Sequence, residues 1–279
     1  MSTAIDNPLA RLRQRPRDNA AVYTVLVIGG LLWAFPLISA VRQSVAHGGF
    51  GNYLTVLTGE FNQVSLIRAF GNSLVIAALH ALFVCAVGAM AAYAFAKISF
   101  PGREALYHLV LIFLSVPAVA VIVPVYYITG QLGLFNSPLG VALPEAALTL
   151  PFAVLLLRNY ANGIPDTIIE AARIDRAGHA RIFWHIFLPA ARPALVNLAA
   201  LSVMWSLQDF VFPSMVLKNA DTTTAAQAVQ TIQSAFGPTP EQTSQYFAAL
   251  VLLAVPAVVL VVAGLKFITQ GITAGGSKE

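Results

Sequence analysis

Charged and titratable residues are concentrated in one stretch of an otherwise apolar chain, residues 170–189, which read EAARIDRAGHARIFWHIFLP. The stretch holds one Glu, one Asp, three Arg and two His. Such side chains form charge-assisted hydrogen bonds, which suits contact with a protein partner or with anionic lipid headgroups. The residues alone leave two interpretations open, a docking surface and a solvated loop beside the headgroups.

A second set of chemically capable residues lies inside an apolar run, in the sequence WSLQDFVFP at 205–213. Trp205 precedes Asp209 by about one helical turn, and Gln208 lies next to the acid. A neutral sugar is bound by an aromatic face together with polar groups that accept its hydroxyls. Trp205, Gln208 and Asp209 are therefore candidates for a substrate path. The alternative is that Asp209 forms a hydrogen bond between packed helices.

Two further ionisable residues, Glu145 and His80, also fall within apolar runs, where such residues are functional candidates. Glu145 follows Pro144, and we predict that it lies near the outer interface, where water solvates a carboxylate. We predict that His80 forms a hydrogen bond to a neighbouring helix rather than transferring protons. Gly88 and Ala92, four residues apart, predict close helix packing.

Sequence motifs of common catalytic sites are absent. The chain has no G-x-x-x-x-G-K-[ST] loop for ATP, no H-E-x-x-H, no G-x-S-x-G and no metal-ligand spacing. Its one cysteine, Cys85, excludes an internal disulfide and a Cys-rich metal site. We therefore predict that the chain is not an enzyme and that it needs no cofactor or metal. The net charge of +4 gives no reason to expect nucleic acid binding.

The elements that must position these residues are membrane helices. The 279-residue chain is 58% hydrophobic and only 10% charged, whereas soluble domains carry about a quarter charged residues. A membrane helix needs about 20 mostly apolar residues. Six runs meet this requirement, at Ala21–Val41, Asn72–Ala96, Leu106–Ile128, Pro138–Leu157, Leu195–Leu217 and Tyr246–Ile268. The first is too long for the core of a signal peptide and is predicted to be retained.

The distribution of basic residues predicts the orientation of the spans. With the N-terminus inside the cell, thirteen of the sixteen Lys and Arg residues are cytoplasmic. The three outer ones are Arg42, Arg68 and Lys218. The cytoplasmic ones are Arg11, Arg13, Arg15, Arg17, Lys97, Arg103, Arg158, Arg173, Arg176, Arg181, Arg192, Lys266 and Lys278. We therefore predict a cytoplasmic segment at 1–20, a six-span domain at 21–268 and a cytoplasmic tail at 269–279.

The charged insert, about 160–193, is predicted to begin with a short helix and to lie in the cytoplasm. Pro165 suits the first position of this helix, where its missing N–H costs nothing. Gly178 can end the helix with a positive φ. The small side chains of Ala171 and Ala172 would let another molecule approach closely.

A second short helix is predicted at His179–Leu188, with its apolar face along the headgroup boundary. That face carries Ile182, Phe183, Ile186 and Phe187, while Arg181 and His185 lie away from it. Pro189 and Pro193 are predicted to end this helix before the fifth span begins.

The insert resembles the EAA loop of ABC importer permeases. The matching residues are Glu170, Ala171 and Ala172, followed at the family's spacing by Ile186, Leu188 and Pro189. Four other segments resemble the carbohydrate branch of the family, in particular the second, shorter type of permease subunit, as in the maltose importer. They are AAYAFAKISFPGR (91–103), LPFAVLLLRNYANGIP (150–165), WSLQDFVFP (205–213) and GITAGGSK (271–278). The resemblance therefore covers nearly the whole chain.

The resemblance implies an all-α membrane protein with the type I ABC importer permease fold, six transmembrane helices and a cytoplasmic EAA coupling loop. It implies the permease subunit of an ATP-driven, binding-protein-dependent importer in the bacterial inner membrane, for a sugar or sugar derivative. The implied partners are a homologous permease subunit, two ATPase subunits that hydrolyse the ATP, an extracytoplasmic substrate-binding protein, the carbohydrate and membrane lipid. In the family, the loop forms a helix that docks in a cleft on the ATPase. The residues to which the resemblance assigns this coupling are Glu170, Ala171, Ala172, Arg173, Asp175, Gly178, Ile186, Leu188 and Pro189.

One position departs from the family pattern. The family usually has glycine directly after the aspartate that follows the EAA triad, whereas here Arg176 follows Asp175. Since Gly178 lies two residues further on, we predict that Gly178 supplies the positive φ that the turn needs.

Two other functions fit the same residues. An ion-coupled secondary transporter would use Asp209, Glu145 and His80 as an ion relay and would need no ATPase. A non-transport scaffold would carry no solute. Among importers, a polyol phosphate or another small polar solute stays as open as a disaccharide.

Overall fold

The computed structural model of the protein describes residues 16–237 and 239–276. Most of the predicted cytoplasmic N-terminal segment, with Arg11, Arg13 and Arg15, lies outside the described residues, as does the end of the predicted tail with Lys278.

The described residues are almost entirely helical. The helices are α1 (Pro16–Ser44), α2 (Gly51–Thr58), α3 (Leu66–Lys97), α4 (Arg103–Ile112), α5 (Ile122–Gln131), α6 (Pro138–Asn162), α7 (Asp166–Ile174), α8 (His179–Ile182), α9 (Leu188–Gln208), α10 (Val211–Val216), α11 (Ala225–Ala235) and α12 (Pro240–Gly276). Three 3₁₀ turns (Phe113–Ser115, Ala118–Val121 and Ala220–Thr222) and one π-helical turn (Phe183–Phe187) connect or extend them. The strands β1 (Glu60–Phe61) and β2 (Val64–Ser65) form one antiparallel hairpin.

Five helical segments are long and apolar enough to cross a membrane. They are Val22–Ser44, Leu66–Lys97, Pro138–Asn162, His179–Gln208 and Pro240–Val259. A sixth crossing is formed if the bent pair Arg103–Ser115 and Ala118–Gln131 counts as one span. This confirms the predicted all-α membrane fold with six spans.

The third span is broken, which the sequence analysis did not predict. The two halves of the predicted continuous run Leu106–Ile128 meet at an angle of 98°. Val116 and Pro117 at the break are extended, with ψ of 117° and 131°. The proline ring disfavours helical geometry at the preceding residue, so Pro117 ends the first half at Val116. Apolar composition alone carries no sign of this break.

The fifth span also differs from the prediction. Helix α9 runs on from the π-helical turn and ends at Gln208, because Asp209 is extended with ψ of 131°. The predicted break at Pro189 and Pro193 is wrong. A proline ring clashes with the carbonyl four residues earlier, and the wide π turn immediately before Leu188 accommodates Pro189 without ending the helix.

The core of the bundle lies between α3, α6 and α9. Gly88 of α3 faces Ala153 of α6 so closely that a Cβ atom at position 88 would lie 2.9 Å from the Cβ of Ala153. This confirms the close packing predicted from Gly88 and Ala92, which is fully buried. Helix α6 continues through Pro144 and Pro151, so these prolines do not interrupt the fourth span.

The end of the bundle opposite the charged insert is capped by α2, the β-hairpin and α11. Val56, Leu66, Val229 and Ile232 are buried together there. The hairpin turn places Asn62 and Gln63 at positive φ, as a two-residue hairpin requires. The cap holds the ends of α3 and α11 together, and Asn72 donates hydrogen bonds across it to the carbonyls that precede α11.

Candidate functional sites

The charged insert forms α7, which is fixed to the end of α3. The Lys97 ammonium donates hydrogen bonds to the carbonyl of Ile164 at 2.9 Å and to Oδ1 of Asp166 at 2.7 Å. On the same side, the Arg173 guanidinium donates to the Lys97 carbonyl at 3.4 Å. The hydrogen bond and positive charge of Lys97 lower the pKa of Asp166. Ile169 is buried beneath the helix, so α7 is held at both its polar and its apolar contacts.

One face of α7 is exposed to the surroundings. Thr167, Glu170, Ala171 and Ile174, at i, i+3, i+4 and i+7, are all exposed, and Ile174 is 83% exposed. We call these four residues the α7 stripe. It joins a carboxylate, a small residue and an apolar side chain on one short, rigid surface. The sequence analysis missed Ile174, although its spacing from Glu170 and Ala171 was a sufficient signal.

The two alanines of the insert have different environments. Ala171 belongs to the exposed stripe, whereas Ala172 is half-buried and packs against the core. Pro165 precedes the helix as its N-cap instead of occupying the first helical position. The helix begins one residue after the predicted start and ends at Ile174, four residues before the predicted end at Gly178.

The turn after α7 is made by Arg176, and the prediction that Gly178 supplies it is wrong. Arg176 adopts a φ of 58°, whereas Gly178 has a φ of −72°. The Arg176 N–H donates to the Arg173 carbonyl and the Ala177 N–H donates to the Ala172 carbonyl, both at 2.9 Å. This pair of bonds is the Schellman motif, which needs a left-handed residue at the first position after the cap. That position is 176, so the family's glycine position keeps its conformation with arginine in it.

The second half of the insert anchors to the bundle through aromatic side chains. Phe187 is fully buried, and Phe183 and Phe187 both lie 5.5 Å from Tyr93 of α3 between ring centroids. The Tyr93 hydroxyl and Nδ1 of His179 form a hydrogen bond of 3.2 Å.

The burial pattern of this half agrees with the predicted faces. Ile182 is buried and Ile186 is half-buried, whereas Arg181 and His185 are exposed. An open groove of about 250 Å³ lies between the two halves of the insert, bordered by Asp175, Arg181 and His185. Of the remaining residues that the resemblance assigns to coupling, Leu188 is half-buried and Pro189 is exposed.

A cavity of about 330 Å³ lies within the membrane bundle, between α3, α6, α9 and the broken third span. Trp205, Gln208 and Asp209 all line it, so the structure brings the three predicted path residues together. Trp205 is 43% exposed at the rim, and its ring packs edge-to-face against Phe152 with centroids 5.4 Å apart.

Glu145 also lines this cavity, and the prediction that it lies at the outer interface is wrong. Its side chain is only 6% exposed, and Oε2 lies 3.5 Å from Nδ1 of His80. Asp209 and Ser206 line the same cavity as Glu145. Helix α6 carries Glu145 inward because the helix continues through Pro144.

His80 forms the interhelix hydrogen bonds that the sequence predicts. Nδ1 lies 3.0 Å from the Ser202 carbonyl of α9, and Nε2 lies 3.0 Å from Oγ1 of Thr149 on α6. The ring therefore ties α3 to both neighbouring helices at the depth of the cavity.

Asp209 has a structural role in addition to lining the cavity. Its Oδ1 accepts a hydrogen bond of 2.8 Å from the Val211 N–H, at the start of α10. It thus stabilises the break between α9 and α10. The lining of the cavity also includes Ala118 and Val119, which follow the break at Pro117. The sequence analysis missed these wall residues, and Pro117 was the signal that could have found them.

Within residues 16–237 and 239–276, no group of three or more His, Cys, Asp or Glu residues is arranged to hold a metal ion. The polar groups of the two sites suit binding and docking, and the cavity is large enough for a small solute.

Comparisons with known proteins cover both sites. Residues 85–273 match the family model described as "Binding-protein-dependent transport system inner membrane component". The chain is 30% identical over 267 residues to the sn-glycerol-3-phosphate transport system permease protein of Yersinia pestis, covering 90% of this chain and 94% of that one. It is 28% identical over 269 residues to the trehalose transport system permease protein of Mycobacterium tuberculosis, covering 92% and 96%.

The fold also matches a solved structure. A chain in the crystal structure of a bacterial ABC transporter that imports the acidic polysaccharide alginate superposes with a TM-score of 0.76. The match covers 95% of this chain and 99% of that chain at 19% sequence identity. The family match at residues 85–273 includes the insert and every residue named as lining the cavity except His80.

Proposed function

We propose that this chain couples an ATPase to solute import through the α7 stripe. The chain belongs to the family of binding-protein-dependent transport system inner membrane components. The chain is an inner-membrane transport subunit, a permease, and not an enzyme. The solute in this proposal is a sugar or a related polyhydroxylated compound, as the names of the trehalose and glycerol-3-phosphate relatives suggest.

The observation that carries the proposal is the combination of an exposed stripe and a fixed helix. Thr167, Glu170, Ala171 and Ile174 have no cover from the rest of the described chain. We infer that Ile174, exposed beside a carboxylate and a small residue on a fixed helix, contacts a protein partner. The stripe would seat in a cleft of an ATPase subunit, where Glu170 would pair with a basic residue of the partner.

The anchoring of α7 explains how such a contact would transmit motion. The Lys97 side chain is 6% exposed and joins α7 to the end of α3. Helix α3 then runs 17 residues back to His80 at the cavity, a distance of about 26 Å at 1.5 Å per residue. A push on α7 would therefore move a rigid helix whose other contacts border the solute cavity.

The path itself would be completed by a homologous permease subunit. The cavity is open on one side, and Trp205 and Val119 are exposed at its rim. A second permease would close this side, and an extracytoplasmic binding protein would deliver the solute to the capped end of the bundle. The insert and both termini would lie in the cytoplasm, in line with the distribution of basic residues.

The test is co-purification of the permease from its native membrane, with wild type beside Glu170→Lys. We expect an ATPase subunit to co-purify with the wild type and to be lost or uncoupled in the variant. Glu60→Lys is the matched control, because Glu60 is exposed on the hairpin at the opposite end of the bundle. This control should keep the ATPase.

Two results would contradict the proposal. If the wild type brings no ATPase, the importer assembly does not form through this chain. If Glu170→Lys retains both the ATPase and ATP-dependent uptake, the stripe is not the docking surface. Uptake that survives ATP depletion but fails when the ion gradient is collapsed would instead identify Glu145, Asp209 and His80 as an ion relay.

A further inference from the structure

We infer that the membrane cavity of this chain admits polyhydroxylated solutes that carry no anionic group, either neutral or amino-bearing. The inference rests on the proposed function and names the solute class of the same path. It separates this chain from two proteins that it resembles, whose names specify glycerol 3-phosphate and an acidic polysaccharide.

Two acids face the cavity. Glu145 is 6% exposed, and Asp209 lines the same cavity. A phosphate or carboxylate in this space would be repelled by the negative charge that this pair of acids carries, and such repulsion is strong at short range in a partly desolvated site. A hydroxyl or an ammonium group would instead donate hydrogen bonds to the same oxygens.

The cavity offers no cation that would offset these acids. None of the described residues that line it is Lys or Arg. His80 is its only basic lining residue, but the imidazole is 1% exposed. Its nitrogens are directed at the Ser202 carbonyl and at Thr149, so neither is free to bind an anion.

The backbone donors beside the cavity are also occupied. A helix start such as that of α10 presents free N–H groups, which are a common source of anion binding. Here the Val211 N–H donates to Oδ1 of Asp209 at 2.8 Å. An incoming anion would have to displace a carboxylate that belongs to the chain.

The remaining lining suits a sugar ring. Trp205 is held by Phe152 and presents a half-exposed ring at the rim. Gln208 beside it carries both an amide donor and an amide acceptor. Aromatic faces cover the C–H surface of a sugar while polar groups bind its hydroxyls, and this division matches the two sides of the cavity.

The experiment measures the charge preference of the cavity with thiol reagents of opposite charge. Since Cys85 is the one cysteine of the chain, a Cys85→Ser background allows one new thiol to be placed. Gln208→Cys puts it at the rim, and Gln233→Cys puts a matched thiol on the exposed surface of α11. The purified permease complex in lipid nanodiscs is reacted with trimethylammonioethyl and sulfonatoethyl methanethiosulfonate.

We expect the thiol at position 208 to react faster with the cationic reagent than with the anionic one. The ratio of these two rates should exceed the ratio at position 233 by about tenfold or more, because a cleft lined by one sign of charge concentrates the opposite sign. Adding Glu145→Gln or Asp209→Asn should lower the ratio several-fold. Adding Glu60→Gln, which removes an exposed carboxylate far from the cavity, should leave it unchanged.

Two results would overturn the inference. One is a ratio of cationic to anionic reaction rates at position 208 that equals the ratio at position 233 or favours the sulfonate. The other is a ratio that neither acid variant changes. Using both variants covers the case in which one of them fails to assemble, as judged by gel filtration of the complex. The labelling needs neither ATP nor an ATPase, so its failure is distinguishable from failure of the co-purification that tests the coupling proposal.

Discussion

The insert and the cavity place their charged groups in opposite environments. Glu170 and Arg173 of the insert are exposed, so their charges are solvated and are available to a partner at little cost. Glu145 and His80 of the cavity are buried, where a charged group needs a partner within the protein. The exposed charges of the insert suit the proposed contact with another protein, whereas the buried polar groups of the cavity suit the proposed binding of a solute.

The two regions share one scaffold, helix α3, which contacts the insert through Lys97 and the cavity through His80. This arrangement makes the comparison testable. Changes in α3 should disturb both regions, changes at Lys97 should affect only the coupling, and changes at the end of α7 should affect only the insert.

The largest effect is expected from Gly88→Val, which would overfill the contact between α3 and α6. Even a Cβ atom at this position would lie 2.9 Å from Ala153, and overpacking of a core costs about 1–3 kcal/mol or more. Thermal unfolding of the purified complex, followed by gel filtration of heated samples, should show a clear loss of stability. Both ATPase binding and solute uptake should fall with it.

Gly71→Val, in the same helix, is the matched control, because a Cβ atom at Gly71 meets no other atom within 4 Å. If both glycine variants lose stability equally, the close packing at Gly88 is not what holds α3 to α6.

The second effect is expected from Lys97→Met, which keeps the length of the side chain but removes its two hydrogen bonds to the insert. Charge-assisted hydrogen bonds are stronger than neutral ones, so α7 should come loose from α3. We expect the complex to assemble, with solute uptake per ATP hydrolysed lower by about tenfold. Measuring uptake and hydrolysis in the same proteoliposomes gives this ratio.

Lys218→Met is the control for the lost charge. Lys218 lies at the other end of the bundle and donates to the carbonyl of Ser214, so its replacement should leave the ratio unchanged. A wild-type ratio of solute uptake to ATP hydrolysis in Lys97→Met would contradict the proposed coupling between α7 and the cavity.

The sequence is a good guide to the helices and a poor guide to their interruptions. Apolar runs predict the six spans because burial in lipid depends on composition. The breaks at Pro117 and Asp209 depend on backbone geometry over one or two residues, which a 20-residue average conceals. Glu145 was misplaced for the same reason, since its position follows from an unbroken α6.

The insert shows the same division. Glu170, Ala171 and Ile174 lie on one exposed helical face, and their spacing is enough to predict this proposed docking surface from the sequence. The left-handed turn was assigned to Gly178 from residue preference alone. The hydrogen bonds from residues 176 and 177 back to α7 fix the turn at Arg176, and only the completed helix end reveals them.

A smaller effect is expected from Arg176→Gly, which should stabilise the end of α7 without touching the cavity. A non-glycine residue at positive φ costs about 1–2 kcal/mol, and glycine loses part of this gain through its greater freedom in the unfolded chain. Hydrogen exchange at the last amides of α7 should slow about fivefold, the factor that corresponds to about 1 kcal/mol.

Gly178→Ala is the companion variant, since Gly178 has a negative φ and no atom lies near its missing Cβ. It should leave exchange in α7 unchanged. Faster hydrogen exchange in Gly178→Ala, together with unchanged exchange in Arg176→Gly, would show that Gly178 and not Arg176 makes the turn.

The smallest effect concerns pH and is confined to the insert. Because Lys97 lowers the pKa of Asp166 in the folded protein, the contact stabilises α7 fully above the usual aspartate pKa of about 4. The stabilisation is lost as the pH falls through the lower pKa of the folded state.

A spin label on Thr167→Cys in the Cys85→Ser background should keep constant mobility from pH 8 to 5 and become more mobile below pH 4. Adding Asp166→Asn removes the titrating group. The spin label at position 167 should then be more mobile at pH 7 and show no further change between pH 8 and pH 4. A wild-type transition near neutral pH would contradict the assignment of this contact to Asp166.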